Sequence, residues 1–455
     1  MATESDLTDE NLRDLRGSLA GDVLAPGDRE YDRARLCFNL LIDRRPAVIA
    51  RCVSADDVGT ALEFGEAQGL EIAVRGGGHN PAGHCAVDDG LVIDLSRMRN
   101  VEVDPEARIA RSEGGATWLD FDSATQAHRL VTPGGVVGST GVTGLTLGGG
   151  IGHLTAQFGL TCDNLIGAEL VTPAEGVVLA TEDENPELLW GLRGGGGNFG
   201  VGTLIEMRLH PLERVVGGKL SYSGDGVREA LRTFLEVDSR AGNELSCQAQ
   251  LVLDQSQTPG LEVAPCYTGS DGEPEELAAL RSAPGLVSDT VREQGFLDQQ
   301  RIFDPGYGVD RNYWKGHFVR ELPDELIERL IERMTVLGRP PGEILIESLR
   351  GGPKDVDSDS AALGYRDAAF NVSVMASWTD PAHDEEGIAW ARETAAAIEP
   401  FSVSGGYANY MQADEPIERV RAAYGPDSFD RLQALKKQYD PDNVLHRNQN
   451  IPPAD

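Results

Sequence analysis

Two glycine-rich segments carry residue types that suit the binding of a phosphate-containing ligand. The first, Arg75-Gly-Gly-Gly-His-Asn80, follows a predicted strand. The second is Gly141-Val-Thr-Gly-Leu-Thr-Leu-Gly-Gly-Gly-Ile-Gly-His153. Successive glycines expose backbone N–H groups and let the chain approach a pyrophosphate closely. Two such segments in one region indicate a large phosphate-containing cofactor. For the second segment, the alternative is a glycine-rich loop that packs under a sheet.

Other nucleotide-binding and nucleophile motifs are excluded. Gly195-Gly-Gly197-Asn-Phe-Gly200 satisfies GxGxxG, but a helix precedes it and a strand follows, the reverse of a Rossmann fingerprint. The chain contains no GK[ST] P-loop, and Ser139 misses the GxSxG elbow by one glycine. The six cysteines are scattered without a CxxC pair, so we expect neither a disulfide framework nor a metal site.

The charge of the chain restricts its partners. Its 455 residues include 74 Asp and Glu against 40 Lys and Arg, which gives a net charge of −34. Such a surface repels phosphate backbones, so we expect no nucleic-acid partner and no anionic membrane. Only five of the basic residues are lysines, which favours a salt-adapted surface over one that is merely soluble. The N-terminal residues show neither the basic nor the apolar region of a signal peptide, and no apolar run approaches 18 residues, so we predict a soluble, cytoplasmic protein.

The pattern of elements changes near residue 215. Before it, a strand–helix–strand unit over 46–75 predicts parallel pairing, hairpins are predicted over 101–112 and 168–180, and 134–152 is predicted as one long loop. After it, longer helices alternate with strands. The helices are predicted at 227–236, 274–281, 323–337 and 384–398, and the strands at 245–253, 260–267, 343–349 and 370–378.

Five motifs in order resemble the berberine-bridge-enzyme-like oxidases of the vanillyl-alcohol-oxidase flavoprotein superfamily. They are the two glycine segments, Gly159-Leu-Thr-Cys-Asp-Asn164, the run from Trp190 to Val201, and the tail from Tyr439 to Pro453. The resemblance is dense over about 30–215 and 360–455 and loose between. It implies an α+β fold with two domains, in which a PCMH-type FAD-binding domain accompanies a substrate domain of antiparallel sheet covered by helices.

The resemblance also implies domain limits. Residues 1–215 would form the FAD-binding domain, with its core at about 42–214, and 216–400 would form the substrate-binding domain. Residues 401–455 would return to the FAD-binding domain.

The resemblance places an FAD cofactor on specific residues. His79, whose position taken alone is typical of a capping or solvent-facing residue, matches the histidine that bonds covalently to the flavin 8α-methyl group. Val137 stands where many members carry a second, cysteinyl link, so a single link is expected, and Cys162 is expected to be a buried small residue. His153 is expected to pack a flavin loop. The implied cofactor-binding residues are Arg75, Gly76, Gly77, Gly78, His79, Asn80, Gly138, Ser139, Gly141, Gly144, Gly148, Gly149, Gly150, Gly152, His153, Asp163, Asn164, Val201, Asn409, Asn448 and Asn450.

Two candidate catalytic residues follow from the same resemblance. Gly406-Tyr407-Ala-Asn409-Tyr410 resembles the family's Tyr-x-Asn-Tyr strand, in which the first tyrosine faces the flavin and serves as a base in several members. An ordinary packed tyrosine is the alternative. Asn371 falls where plant members place a Glu or Gln that points at the substrate, although an amide cannot act as a base. Trp314 and Tyr313 either line the pocket or pack in the core.

The implied activity is hydride transfer from an alcohol or amine carbon of a small-molecule substrate to FAD, with molecular oxygen as the acceptor and hydrogen peroxide as the product. A dehydrogenase with another acceptor and a non-catalytic flavin protein are the alternatives. The segments 74–80, 134–152 and 193–200 contain no Asp or Glu, so the acidic charge lies outside the loops expected to hold the FAD pyrophosphate.

Overall fold

The structure is a computed structural model that describes residues 7–254, 257–270, 272–304, 310–335 and 342–455. The helices before residue 214 are α1 (Asp9–Ser18), α2 (Tyr31–Ala34), α3 (Ala55–Ala67), α4 (Trp118–Gln126), α5 (Val142–Leu147), α6 (Thr155–Phe158) and α7 (Pro186–Leu192). The strands there are β1 (Asp22–Leu24), β2 (Val48–Arg51), β3 (Ile72–Arg75), β4 (Leu91–Asp94), β5 (Val101–Asp104), β6 (Ile109–Glu113), β7 (Leu130–Val131), β8 (Leu165–Thr172), β9 (Gly176–Thr181), β10 (Val201–Arg208) and β11 (His210–Pro211).

A four-stranded sheet of order β1-β2-β4-β3 carries the first glycine segment. β2 and β3 each pair with β4 in parallel, so the two strands of the unit are parallel as predicted, but they do not pair with each other because β4 lies between them. The helix of the unit, α3, begins where the Ser54 side chain accepts a hydrogen bond from the Asp57 amide, as an N-cap does. The glycine segment then leaves the end of β3, where an open parallel sheet presents its binding crevice.

A five-stranded antiparallel sheet of order β5-β6-β10-β8-β9 contains both predicted hairpins, which are confirmed. The prediction of one continuous loop over 134–152 is wrong, because α5 occupies Val142–Leu147. This stretch has one internal glycine, and its apolar residues Val142 and Leu147 turn into the core that lies around α4 and β8. The Thr146 hydroxyl donates to the Val142 carbonyl oxygen at 2.7 Å, which satisfies that side chain within the helix.

The rest of the chain builds a large antiparallel sheet with helices. The helices are α8 (Val227–Arg240), α9 (Glu275–Ser282), α10 (Phe296–Gln300), α11 (Asp324–Met334), α12 (Gly352–Asp355), α13 (Asp384–Ile398), α14 (Ile417–Tyr424) and α15 (Pro426–Tyr439). The strands are β12 (Arg214–Gly217), β13 (Leu220–Ser223), β14 (Leu245–Leu253), β15 (Pro259–Tyr267), β16 (Leu286–Asp289), β17 (Arg292–Gly295), β18 (Arg311–Val319), β19 (Gly342–Ser348), β20 (Phe370–Trp378) and β21 (Ser402–Ser404).

The centre of this sheet has the order β14-β19-β20-β18. Because side chains alternate along a strand, one face packs with α8, α11 and α13 in the largest core cluster, and the opposite face is left for a ligand. The four helices and four strands predicted here are confirmed, although residues 336–337 of the predicted helix 323–337 lie outside the described residues. The α+β fold is therefore as expected, while the domain limits near 215 and 400 stay predictions.

The C-terminal residues pack on the first half of the chain, since Leu432 and Leu435 of α15 share a core cluster with Leu189 and Phe199. The prediction of a strand around Tyr407 is wrong, because β21 ends at Ser404 and Ala408–Tyr410 form a single 3₁₀ turn. The Tyr410 and Met411 amides both donate to the Tyr407 carbonyl oxygen, which closes this turn. Among the helices of the described residues, none is both long and apolar enough to cross a membrane.

Candidate active site

A cavity of about 280 Å³ lies between the glycine segments and the free face of the large sheet. The expected residues that line it are Gly76, Gly77, Gly78, His79, Asn80, Gly141, Gly144, Gly148, Val201, Asn409, Asn448 and Tyr407. The large sheet contributes Gln250, Trp314, Leu345 and Met375 to the opposite wall. Among the described residues that line the cavity, none is Asp or Glu, although the chain carries 74 of them. The acidic side chains that give the protein its negative charge are therefore absent from the described part of the cavity wall.

His79 is held by an aromatic stack at the end of the first glycine segment. Its ring lies parallel to that of Phe38, with the centroids 4.2 Å apart and the planes 3° from parallel. The Phe38 amide donates to the Gly78 carbonyl oxygen at 3.2 Å, so backbone and side chain fix the same contact. Burial lowers the pKa of His79 to about 4, so the imidazole is neutral at physiological pH and keeps a nitrogen lone pair free for bonding.

Several of the expected cofactor residues lie outside the cavity wall and support it. The Arg75 guanidinium donates to the Ala34 carbonyl oxygen, and the Gly138 amide donates to Asp304, while Ser139 is exposed. Asp163 pairs with Arg366 in a buried ion pair, and Asn164 bonds the Phe158 and Leu160 carbonyl oxygens and His210. Asn450 is partly buried and lies away from the cavity.

The end of the second glycine segment is packed from behind. A Cβ atom on Gly149 would lie 2.5 Å from the Tyr365 hydroxyl, and one on Gly152 would lie 1.8 Å from the Gly134 carbonyl oxygen. These glycines let backbone and side chains approach where any other residue would collide. His153 follows them, stacks on Phe303 at a centroid distance of 5.8 Å and is buried, so it packs the loop and does not reach the cavity.

Tyr407 is fully buried, and its hydroxyl is fixed by two donors. The Gly150 amide and the Asn409 side-chain amide each donate to the phenol oxygen at 2.9 Å. Burial, together with the nearby Glu347 carboxylate, nevertheless raises the pKa of Tyr407 above its ordinary value. The phenol is consequently neutral at physiological pH in this arrangement, and its lone pairs are already occupied by donors.

Asn371 lies outside the cavity wall, next to a carboxyl group that the sequence analysis did not single out. Its side-chain amide donates to Glu347 at 2.7 Å and to the Ser373 hydroxyl at 3.1 Å. Glu347 is 1 % exposed, and burial raises its pKa to about 7, offset in part by hydrogen bonds from Asn371 and Tyr410. Tyr410 itself lines the cavity, so it connects the cavity to this buried carboxyl group.

The two positions that bear on a second covalent link carry no reactive thiol. Val137 lines the cavity with an aliphatic side chain. Cys162 is fully buried away from the cavity, and burial raises its pKa well above that of an ordinary thiol. In the described residues, no group of three or more His, Cys, Asp or Glu side chains is arranged to hold a metal ion.

Comparison with known proteins supplies the family. Family models described as "FAD binding domain" and "Berberine and berberine like" match residues 46–182 and 406–452. The chain is 30 % identical over 452 residues to (R)-6-hydroxynicotine oxidase of Paenarthrobacter nicotinovorans, covering 96 % of this chain and 97 % of the relative. The chain belongs to the berberine-bridge-enzyme-like FAD-linked oxidoreductases. An FAD-linked oxidoreductase of Dictyostelium discoideum is 31 % identical, with 96 % of this chain and 95 % of that protein covered.

The crystal structure of 6-hydroxy-D-nicotine oxidase from Arthrobacter nicotinovorans has a similar fold, with a TM-score of 0.87 and 29 % identity. The match covers 96 % of this chain and 99 % of the nicotine oxidase chain. This berberine-bridge-enzyme-like protein is accordingly an FAD enzyme, and its cavity fits the cofactor. The glycine segments expose backbone without side chains, and no described residue of the cavity wall is Asp or Glu, which suits an anionic pyrophosphate. Arg447 also lines the cavity, and its guanidinium pairs with Glu71 at 2.9 Å.

Three residues of this site, Glu347, Tyr410 and Phe38, were not predicted from the sequence. A signal for Glu347 was present, because period-two alternation in Glu343-Ile-Leu-Ile-Glu347 puts it on the face opposite Ile344 and Ile346, which lie in the helix-covered core. No comparable signal marks Phe38, which reaches His79 only through the course of the N-terminal segment. Of the two aromatic residues on β18, Trp314 lines the cavity, while Tyr313 packs on the helix side and donates to Asp414.

Proposed function

We propose that this chain is an FAD-linked oxidase that removes a hydride from an alcohol or amine carbon of a small-molecule substrate. The proposal rests on one observation: the neutral His79 imidazole and the Tyr410–Glu347 pair lie at the same cavity. Among the described residues, none that lines this cavity is Asp or Glu. Bound FAD supplies the hydride acceptor and passes the electrons on to oxygen, which becomes hydrogen peroxide. The chain supplies position, electrostatics and a proton acceptor.

His79 is the residue proposed to hold the flavin covalently through its 8α-methyl group. Covalent bonding needs an unprotonated imidazole nitrogen, and burial keeps the ring neutral. The stack with Phe38 holds the plane of the ring, and with it the plane in which the nitrogen lone pair lies. Val137 has no sulfur to add, which supports a single histidyl link.

The proton acceptor is proposed to be the Tyr410–Glu347 pair. Tyr407 stays a prediction as a base, but its raised pKa and two donors oppose deprotonation at neutral pH. Tyr410 lines the cavity and donates to Glu347, a carboxyl group with a pKa of about 7. A substrate O–H or N–H can therefore give its proton to the tyrosine oxygen while the tyrosine proton passes to the carboxylate. Asn371 orients this carboxylate and is a positioning residue.

The test is anaerobic mixing of the purified holoenzyme with a panel of amines, alcohols on polycyclic scaffolds and oligosaccharides, followed by admission of oxygen. An oxidase bleaches the flavin with at least one compound and then yields one peroxide per substrate consumed. Bleaching without peroxide identifies a dehydrogenase, and no bleaching by any compound supports a non-catalytic flavin protein. Either of the last two results would contradict the proposal.

A further inference from the structure

The large sheet presents an apolar surface to the cavity. Three of the four residues that it contributes, Trp314, Leu345 and Met375, belong to one hydrophobic cluster and are each at most 4 % exposed. The fourth, Gln250, lies directly opposite Leu345 in the pairing of β14 with β19, and Met375 lies directly opposite Trp314 in the pairing of β20 with β18. This side of the cavity is therefore a continuous apolar surface with one amide group beside it.

Trp314 brings a hydrogen-bond donor without a partner to this surface. Its indole N–H, which can only donate, is buried and has no acceptor among the described residues. The indole N–H groups of Trp118 and Trp190 also lack an acceptor, but neither of these residues lines the cavity. Because a buried donor left without an acceptor is costly, the position of Trp314 favours a ligand in the cavity that supplies one.

Ring contacts place Trp314 between the two ends of the proposed chemistry. Its ring lies 5.5 Å from that of Phe38, which is stacked on His79, the residue proposed to hold the flavin. On the other side, the ring of Tyr410 meets the Trp314 ring at 5.5 Å and 86°, in an edge-to-face contact. A substrate that gives its proton to Tyr410 therefore lies beside the face of the sheet that Trp314 covers.

The charge and polarity of the wall narrow the class of substrate. Arg447 is the only charged side chain among the described residues that line the cavity, and it already pairs with Glu71 at 2.9 Å. No carboxylate of the described wall is present to pair with an ammonium group. A buried sugar needs a hydrogen-bond partner for each hydroxyl group, whereas the sheet offers only the Gln250 amide and one indole N–H. Neither a cationic compound nor an oligosaccharide suits this surface.

We propose that the substrate is an uncharged compound with fused aromatic rings that accepts a hydrogen bond from the Trp314 indole N–H through a ring nitrogen or a carbonyl oxygen. Its rings bury apolar surface against Leu345 and Met375, and the hydrogen bond selects among compounds of the same shape. This inference rests on the proposed function, because it takes Tyr410 as the group that receives the substrate proton.

The experiment measures binding to the purified holoenzyme by isothermal titration calorimetry at neutral pH. The probes are quinoline, which is uncharged and has one ring nitrogen as an acceptor, and naphthalene, which has the same fused rings without an acceptor. Neither compound carries an alcohol or amine carbon, so binding is measured without turnover. We expect quinoline to bind at least about tenfold more tightly than naphthalene, because only quinoline satisfies the buried donor. Cellobiose and benzyltrimethylammonium should each bind at least about tenfold more weakly than quinoline.

Two tryptophan variants test the role of the indole N–H. Trp314→Phe keeps an aromatic ring in the wall and removes the donor, so the preference for quinoline over naphthalene should fall to about onefold. Trp390→Phe is the matched control, because its N–H already donates to the Arg333 carbonyl oxygen at 3.1 Å on α13, outside the cavity wall. This control should keep the preference of the parent. Flavin absorbance and melting temperature show that each variant is folded and carries the cofactor.

Equal affinities of the parent for quinoline and naphthalene would overturn the inference, as would tighter binding of cellobiose or benzyltrimethylammonium, or an unchanged preference in Trp314→Phe. The parent titration needs no variant to fold. Failure of this inference is distinguishable from failure of the proposed function. A substrate panel that does not bleach the flavin contradicts the proposed function, whereas bleaching by an oligosaccharide, together with equal binding of quinoline and naphthalene, overturns only the substrate class.

Discussion

Gly77 and Gly141 touch backbone to backbone. A Cβ atom on Gly77 would lie 2.4 Å from the Gly141 amide nitrogen, and one on Gly141 would lie 2.6 Å from the Gly77 amide nitrogen. The two glycine segments, 64 residues apart in sequence, are therefore joined at the cavity by a contact that only glycine permits.

Replacement of Gly141 by alanine should push the two glycine-rich segments apart at the cavity. The new Cβ meets backbone atoms that cannot rotate away, so the segments must separate, at a cost of about 1–3 kcal/mol in stability. We expect a clear loss of bound flavin per polypeptide, measured by visible absorbance after desalting. Gly17→Ala is the matched control, because a Cβ there meets nothing within 4 Å and the residue lies within α1, outside the cavity wall. Equal flavin content in the two variants would contradict the account.

Glu347→Gln should remove a proton acceptor from the reductive half-reaction. The carboxylate form is the competent one, and its pKa is about 7, so the rate of flavin reduction in the parent should rise with pH through about 7 and level off above it. We expect the variant to lose this rise with pH and to reduce its flavin roughly 10²–10⁴-fold more slowly at about pH 8, as for loss of a general base. Rapid-mixing measurements of flavin bleaching from pH 5.5 to about 9 provide the test.

The pH dependence of stability provides a second check, because stability and the rate of flavin reduction should change with pH in opposite directions. Burial raises the Glu347 pKa above its ordinary 4.5, so the folded state holds an extra proton between pH 4.5 and about 7. The parent therefore loses stability as pH rises through this window, whereas Glu347→Gln does not. If the rate of flavin reduction in Glu347→Gln still rises with pH through about 7 as in the parent, Glu347 is not the proton acceptor, whatever the stability of the variant.

Lys436→Met should destabilise the protein strongly. The Lys436 ammonium group is fully buried and donates to Asp440 at 2.6 Å, to the Asn198 carbonyl oxygen at 2.8 Å and to the Leu445 carbonyl oxygen at 3.0 Å. Removing it leaves the buried Asp440 carboxylate without its counter-ion, which costs about 3–5 kcal/mol. Lys437→Met, at the exposed neighbouring position, is the control and should unfold within about 0.5 kcal/mol of the parent in urea titration. Equal unfolding midpoints for the two variants would rule out this role.

The acidic surface predicts stabilisation by salt. A net charge of −34 repels itself in dilute buffer, and at molar salt the screening length is roughly 3 Å, so the repulsion is largely removed. We expect the melting temperature and the activity to rise with KCl into the molar range, followed by calorimetry and a peroxide assay. A melting temperature that is the same in dilute buffer and in molar KCl would count against a salt-adapted surface.

The sequence predicted most of the scaffold because its signals are local. The Ser54 cap, the alternation along β14, β15, β19 and β20, and the glycine segments each act within a few residues. It did not predict β18, whose residues are buried on both faces and include Lys315 and His317, so no alternation of apolar and polar residues is visible. The helix α5 was hidden by the glycines around it.

The site was predicted where motif residues touch the cavity and missed where distant segments meet. His79 and Asn409 lie in motifs that the resemblance marks. Alternation along β19 indicates which face Glu347 lies on, but its contact with Asn371 follows only from the pairing of β19 with β20. Phe38 becomes notable only when the N-terminal segment reaches the glycine loop, a contact that no local pattern encodes.

Covalent attachment of FAD to His79 is tested most directly by locating the flavin on the polypeptide. The purified protein is denatured, separated on a gel and examined for flavin fluorescence, and its tryptic peptides are then analysed by mass spectrometry. We expect that fluorescence stays with the parent chain, that the flavin mass lies on His79 in peptide 76–97, and that His79→Ala releases its flavin on denaturation. Flavin that leaves the denatured parent, or that stays bound to the His79→Ala chain, would contradict this attachment.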